Sequence, residues 1–262
     1  MNSPIVLTIA GSDPSGGAGI QSDLRTFEAL GVIGISAITA ITVQNSEGVK
    51  SVHTVDRDIL RSQIDCLLND ITVSAVKIGM LGGMQQVEAV AEALLKHRPP
   101  NVILDPVLVS SSGKRLLSLE AIDVLKNLLF PLSLLITPNI PELEALSNTK
   151  IISQSTMDSS VRILKRHAGQ NILVKGGHLI GDAVDCLYIG NESPIMFTAP
   201  RVDTSDTHGT GCLLSSAIAA NIAMGESLVD AVRIAKETLT AALQSPMKIG
   251  RGSGYPLISR KQ

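Results

Sequence analysis

The residues able to do chemistry sit in short polar or glycine-rich bursts, each following an apolar run. The densest burst is "DTHGTGC", Asp206 to Cys212, which opens onto the small, apolar "LLSSAIAANIAMG". Gly209 and Gly211 permit positive φ and close backbone approach. A helix starting there would present free N–H groups and the positive end of its dipole. Such a terminus suits the oxyanions that develop in phosphoryl or acyl transfer. Cys212, in the first turn, is expected to have a lowered pKa and to be partly thiolate. The alternative role for it is a small buried residue packing the helix start. His178 and His208 lie inside glycine turns, but neither has metal-ligand spacing.

Other strand ends carry oxygen and nitrogen ligands. Asp105 follows "VIL" and precedes Pro106, while Asn139 and Glu142 form N-x-x-E in "ITPNIPE". Glu142 alone could simply complement a helix dipole, with Pro141 in the first turn. Three oxygen ligands at neighbouring strand ends together suit hydrated Mg²⁺. Lys175 in "LVKGGH" is placed to meet a polyphosphate or to stand as a solvated charge. In "GSDPSGGAGIQSD", Gly11 and Gly16 match half of a P-loop, but Gly17-Ala18 replace the lysine and hydroxyl that complete it. The dinucleotide fingerprint also fails, with Ser22 at its last position. That turn is either a backbone cradle for a small ligand or a tight strand-to-helix connection. No G-x-S-x-G elbow and no Ser/His/Asp triad is evident.

These bursts need elements to hold them. Apolar runs alternate with amphipathic stretches nearly throughout: "IVLTIA" (5–10), "IGISAITAITV" (33–43), "VSAVKIGML", "NVILDPV", "LSLLIT" and "NILVKGG" read as strands. "AGIQSDLRTFEAL" reads as a helix with Ile20, Leu24, Phe27 and Leu30 on one face, and "SLEAIDVLKNLLF" as a helix capped by Ser118. Further helices are expected over "RDILRSQIDCLLND", "MQQVEAVAEALLKHR", "PELEALS" and "MDSSVRILKRHAG", and near 210–224 and 227–244; short strands fall near "DCLYIG" and "PIMFTAP". This is an α/β pattern, a mostly parallel sheet covered by helices on both faces. No composition break divides the chain, so 1–262 reads as one domain, with a loosely ordered tail after Leu243. In such sheets ligands bind beyond the carboxyl ends of the strands, where the polar bursts fall.

Composition narrows the function. The 262 residues are 44% hydrophobic and carry a net charge of -2, so neither nucleic acid nor a membrane surface is an expected partner. Aromatic residues are 2%, too few for base-stacking platforms. Cys66, Cys186 and Cys212 form no CxxC pair, and an odd count without an apparent leader points to a reducing cytoplasm.

"TIAGSDPSGGAGIQSDLRTF", "AITVQNSEGV", "VKIGML", "ILDPVLVSSSG", "ITPNIPELEAL", "LVKGGHLIGDAVDCLY" and "THGTGCLLSSAIAA" resemble, in order and over nearly the whole chain, the hydroxymethylpyrimidine/phosphomethylpyrimidine kinases of thiamine biosynthesis. These are ribokinase-like enzymes. The resemblance implies a three-layer α/β/α sandwich, use of ATP and Mg²⁺, and two successive phosphorylations of 4-amino-5-hydroxymethyl-2-methylpyrimidine. It places the pyrimidine among Gly11, Asp23, Gln44, Met80 and Val107, and Mg²⁺ and its waters near Asp105, Asn139 and Glu142. ATP would meet Lys175, Thr207 and His208. Gly209, Thr210, Gly211 and Cys212 would form the anion hole, with Cys212 where most of the superfamily carries an aspartate base. A homodimer is implied as well. The nearest rival is a pyridoxal kinase, some of which carry a second cysteine on the flap after the strand-end Asp-Pro; here that flap is "DPVLVSSSGKRLL", with serines. A non-catalytic pyrimidine or nucleotide sensor would need none of the phosphoryl-transfer residues.

Overall fold

A computed structural model describes residues 3–168, 171–176 and 182–258. His178 lies outside the described residues. The strands are β1 (Ile5–Ser12), β2 (Ile33–Asn45), β3 (Gly48–Thr54), β4 (Ala75–Ile78), β5 (Val102–Leu104), β6 (Leu135–Ile136), β7 (Asn171–Val174), β8 (Ala183–Tyr188) and β9 (Ile195–Ala199). The helices are α1 (Gly19–Ala29), α2 (Arg57–Asp70), α3 (Met84–His97), α4 (Leu119–Leu128), α5 (Ile140–Ser147), α6 (Gln154–Ala168), α7 (Thr210–Ala223) and α8 (Leu228–Leu243).

The strands form one sheet in the order β3-β2-β1-β4-β5-β6-β7-β8-β9. From β2 to β7 every pairing is parallel, while β3, β8 and β9 add antiparallel margins. The central strands read as unbroken apolar runs because both of their faces are buried. Leu7, Val76, Leu104, Ile136 and Ile172 point into a layer built by α2 to α6. Their neighbours Val6, Ala75, Ile103, Leu135 and Leu173 point the other way, onto α1, α7 and α8. That is the expected three-layer sandwich.

Local chemistry sets most boundaries. Asp56 caps α2 by accepting from the backbone N–H of Asp58 and Ile59, and Ser227 caps α8 through Asp230 N–H. α3 ends at Arg98 in the left-handed region, just before Pro99-Pro100. Ser118 does stand at the N-cap of α4, but its hydroxyl makes no backbone cap bond and instead meets the Glu120 carboxylate.

Two expectations change. β2 runs on to Asn45 and turns back as β3, a hairpin hidden in the sequence because β3, "GVKSVHT", is only partly buried and its two valines do not alternate with polar residues. The tail is docked as far as it is described. Met247 and Tyr255 pair antiparallel, Tyr255 is buried, and Arg25 lies 4.9 Å over its ring. Gly254 N–H donates to Asp206 Oδ1 at 2.6 Å, so this segment braces the turn before α7.

Phe27 is fully buried between α1 and the α7 side of the sheet. Phe27→Ala should lower stability by about 3–5 kcal/mol. Urea unfolding should show this as a lower midpoint with an unchanged slope.

Candidate active site

A cavity of about 840 Å³ opens along the carboxyl edge of the sheet. It is deepest where α7 begins. Gly209, the N-cap, has φ +76°, and no side chain caps the helix; Thr210 N–H donates to Thr207 O at 3.3 Å, and the N–H groups of Gly211 and Cys212 are left for the cavity. A Cβ on Gly209 would fall 1.8 Å from the carbonyl oxygen of Gly17, so this turn presses backbone to backbone on the glycine-rich loop after β1. A Cβ on Gly211 would come within 3.3 Å of Lys175 Nζ and 3.5 Å of Asp105 Oδ2. Thr207, Thr210 and Cys212 also line the cavity.

Beneath this turn lies a cluster of charge. Lys175 Nζ is 2.7 Å from Asp105 Oδ1 and 3.9 Å from Glu142 Oε2. A parallel bridge between Asn139 and Lys175 sets this register. Asp105 also accepts from Thr137 Oγ1 and Ser215 Oγ, both at 3.2 Å. Burial opposes its charge, but Lys175 and Lys77 outweigh burial and hold its carboxyl below the usual range. Glu142 fares differently: burial, reinforced by the Asp105 charge, pushes it up to about 7. Asn139 and Glu142 form a capping box on α5, with both bonds at 2.8 Å. The residues expected as ligands are thus the ones that start α5.

The thiol departs from expectation. Burial pushes Cys212 up to about 11, and the charges of Asp23 and Asp105 add to this against the opposing pull of Lys77. A helix N-terminus lowers a thiol pKa only if the thiolate remains solvated or paired. Here two carboxylates stand nearby, and the group is a neutral thiol near pH 7.

The other end of the cavity is lined by Gly11, Gln44, Met80 and Val107. Met80 packs with Ala40, Val52, Val107 and Leu116 as an apolar floor. The flap Val109–Arg115 closes one side as a small hairpin, with Ser110 N–H donating to Lys114 O at 2.8 Å. His208, expected beside ATP, faces this end instead: its ring nitrogens lie 2.9 Å from Asp13, 3.1 Å from Gln44 and 3.0 Å from Ser111. Asp23, expected as a pyrimidine contact, does not line the cavity. It is fully buried, and its carboxylate takes Thr8 Oγ1 at 2.6 Å, Ser216 Oγ at 2.7 Å and Lys77 Nζ at 2.9 Å. α1 turns this side chain inward beneath the sheet edge, where it neutralises a buried lysine.

Several site residues gave no local signal. Lys77 sits in mid-strand "AVKI", and Lys236 lies on the amphipathic α8, paired at 2.7 Å with Asp185 of β8. Asp185 also accepts from Gly176 N–H at 2.9 Å, which steadies the backbone after Lys175. All three line the cavity, and a lysine inside an apolar strand was the one available hint.

The donor set suits a hydrated divalent cation. Asp105 and Glu142 are hard oxygen ligands, one lysine cannot neutralise both, and the deficit appears in the raised Glu142. Asn139 Oδ1 is spent on its helix cap, so Asp105 and Glu142 would hold Mg²⁺ through its waters, with Asn139 orienting Glu142.

Gly209→Ala keeps the backbone N–H but drives a Cβ into the Gly17 carbonyl from a left-handed φ, so the turn must shift; kcat/KM should fall by about 10²-fold in steady-state kinetics, the cost of displacing groups at a site by about 1 Å. The raised Glu142 gives a second expectation. Between about 4.5 and 7 the unfolded chain has lost this proton and the folded one keeps it, so stability falls as pH rises through that window. Urea midpoints from pH 5 to 8 should show this slope flattened in Glu142→Gln.

Residues 13–256 match the phosphomethylpyrimidine kinase family. A hydroxymethylpyrimidine/phosphomethylpyrimidine kinase from Salmonella typhimurium is 45% identical over 252 residues, 95% of this chain and 94% of that one. A thiamine biosynthesis bifunctional protein from Geobacter sulfurreducens is 44% identical over 95% of this chain, which spans 51% of that longer protein. Among solved structures, a Bacillus subtilis pyridoxal kinase in an ADP complex superposes with a TM-score of 0.90 at 33% identity, covering 99% of this chain and 98% of that one. The order of the sheet, the glycine turn at α7 and the match over most of the length agree: the chain belongs to the phosphomethylpyrimidine kinase family, on a ribokinase-like fold.

Proposed function

We propose that this protein transfers the γ-phosphoryl group of ATP to 4-amino-5-hydroxymethyl-2-methylpyrimidine, and then phosphorylates the monophosphate to the diphosphate, for thiamine diphosphate synthesis. The observation that carries the reading is one cavity joining two chemistries. The uncapped start of α7 and the Asp105–Lys175–Glu142 cluster stand at one end, and an amide, Gln44, over an apolar floor at the other. The names of the relatives support the same substrate.

In this reading the N–H groups of Gly211 and Cys212, which the helix start leaves uncapped, receive the equatorial oxygens of the transferring phosphoryl group. Lys175 meets the polyphosphate, its position fixed by Asp105 and by the Asp185–Gly176 bond. Mg²⁺ would neutralise charge on the ATP phosphates. Met80 and Val107 pack against the pyrimidine ring while Gln44 reads its polar edge. Cys212 starts as a neutral thiol that already holds its proton, so it could serve as base only through its minor thiolate form; otherwise the alcohol proton passes to an oxygen of the transferred phosphoryl group. Phosphoryl transfer rests mainly on positioning and charge neutralisation, which lightens the demand on a base. The protein acts in the cytoplasm as a homodimer with one kinase domain per chain; no helix among the described residues is long and apolar enough to cross a membrane.

A second reading, pyridoxal phosphorylation, draws on the closeness in shape to the Bacillus pyridoxal kinase. Ser110, Ser111 and Ser112 at the flap, in place of a cysteine, favour the pyrimidine.

ADP release with Mg·ATP should be seen with hydroxymethylpyrimidine and with its monophosphate, and ³¹P NMR should identify a diphosphate product. Turnover with pyridoxal alone would replace the first reading with the second. With the thiolate as base, the single-turnover rate of the unaltered protein should rise with pH toward about 11, and Cys212→Ala should lower that rate by about a hundredfold at high pH with KM little changed. Near-full turnover in Cys212→Ala beside an inactive Cys212→Asp would remove the base role.

A further inference from the structure

The imidazole of His208 ties together three separate stretches of chain. Its Nε2 lies 2.9 Å from Asp13 Oδ2 in the glycine-rich loop, and its Nδ1 lies 3.0 Å from Ser111 Oγ on the flap. The ring is fixed in place, since a Cβ on Gly17 would fall 2.3 Å from His208 Cδ2. Asp13 is buried and already accepts from Ser15 N–H, Ser15 Oγ and Ala18 N–H. Burial opposes its charge, yet the bonds from His208 and Ser15 hold its carboxyl below the usual range. An ionised carboxylate only accepts, so the proton of His208 resides on Nε2, and Nδ1 accepts from the Ser111 hydroxyl.

This proton has a consequence for Gln44. Gln44 Nε2 lies 3.1 Å from the same His208 nitrogen, which sets two donors face to face. At the other end of the amide, Oε1 lies 3.4 Å from Thr42 Oγ1. Thr42 directs its single proton to Ser12 O at 2.9 Å, so it has only lone pairs to offer Gln44. Both mismatches disappear when the amide makes a half-turn about Cγ–Cδ, which exchanges oxygen and NH₂ in nearly the same positions.

We infer that Asp13 and His208 are positioning residues that fix the Gln44 amide with its oxygen toward His208 and its NH₂ toward Thr42. An amide has two lone pairs and two N–H groups. One lone pair shares the His208 Nε2 proton with its nearer acceptor, Asp13 Oδ2, one N–H faces Thr42 Oγ1, and one acceptor and one donor remain side by side for a ligand. Their order is set: acceptor on the His208 side, donor on the Thr42 side. That pair is complementary to an amidine edge, an exocyclic NH₂ next to an unprotonated ring nitrogen. A 4-aminopyrimidine has this edge. Pyridoxal has no exocyclic amine beside a ring nitrogen, so its single phenolic group meets one of the two positions and leaves the other unmatched. The inference rests on the pyrimidine kinase reading and supplies its basis for discrimination.

Two measurements test it. Nitrogen-15 NMR of the unaltered protein should show His208 as the Nε2–H tautomer; the Nδ1–H tautomer would overturn the inference whatever the kinetics. In His208→Phe, KM for hydroxymethylpyrimidine should rise about tenfold, the cost of one misdirected hydrogen bond. KM for Mg·ATP and for the analogue lacking the 4-amino group should change by less than about twofold. An equal rise for both pyrimidines would mean that His208 only supports the fold of the site, and would refute the orienting role. If His208→Phe does not fold, the tautomer in the unaltered protein decides alone. If the unaltered protein does not phosphorylate the pyrimidine at all, the functional reading fails, while the NMR result still decides where the His208 proton lies.

Discussion

Charge buried under a cavity has to be matched locally, and that constraint organises this protein. Three lysines reach the floor of the cleft from different elements: Lys77 from β4, Lys175 just after β7 and Lys236 from α8. Each meets an aspartate within hydrogen-bond distance, respectively Asp23, Asp105 and Asp185. A buried ammonium without its carboxylate is costly, so these pairs hold α1, β5 and β8 in register with the lysines that need them. The pairing is complete except at Glu142, where one lysine serves two carboxylates. The unbalanced charge lies beside the turn that faces the phosphate end. A cation-binding site is most easily read where the protein's own account of charge does not close.

Much of this was legible in the sequence, for physical reasons. The central strands are buried on both faces, so "IVLTIA" and "NVIL" announce themselves as uninterrupted apolar runs. Asp105, Asn139, Glu142 and Lys175 stand out because polar residues directly after such runs must lie at the sheet edge. β3 was not legible, since a short, partly buried arm whose valines fall on opposite faces has no periodicity to detect. The docked tail was invisible too. "GRGSGYP" has the composition of a loop, and its order comes from Arg25 and Asp206, far away in the chain. The buried lysines fall in the same class. Lys77 and Asp23 are 54 residues apart, and no local pattern predicts their contact.

Asp23 shows where a motif assigns a residue to the right neighbourhood but not to the cavity wall, and His208 lines the cavity beside Gln44. Asp23 is near the acceptor end, yet every hydrogen bond it makes is to the protein. Its role is to keep Lys77 charged and α1 seated. His208 shares the turn that leads to the phosphate-facing helix, but Gly209 reverses the chain between them. The ring therefore swings away from the helix start and packs on Gly17. One glycine separates two functions that are adjacent in sequence.

The neutral thiol carries the last step of the argument. Had Cys212 been a thiolate, its charge would have stood against the phosphoryl group that the same helix turn is built to attract. Burial beside Asp105 and Asp23 keeps the proton on sulfur, and the start of α7 keeps its positive potential. An aspartate at this position would bring a charge, one that a longer-range lysine would have to offset. A thiol leaves the site less negative before the reaction, and it would have to give up its own proton before it could take one from the attacking oxygen. The glycine-rich turn and the cysteine at its end thus serve one electrostatic purpose. The backbone attracts the anion, and the side chain that follows avoids repelling it.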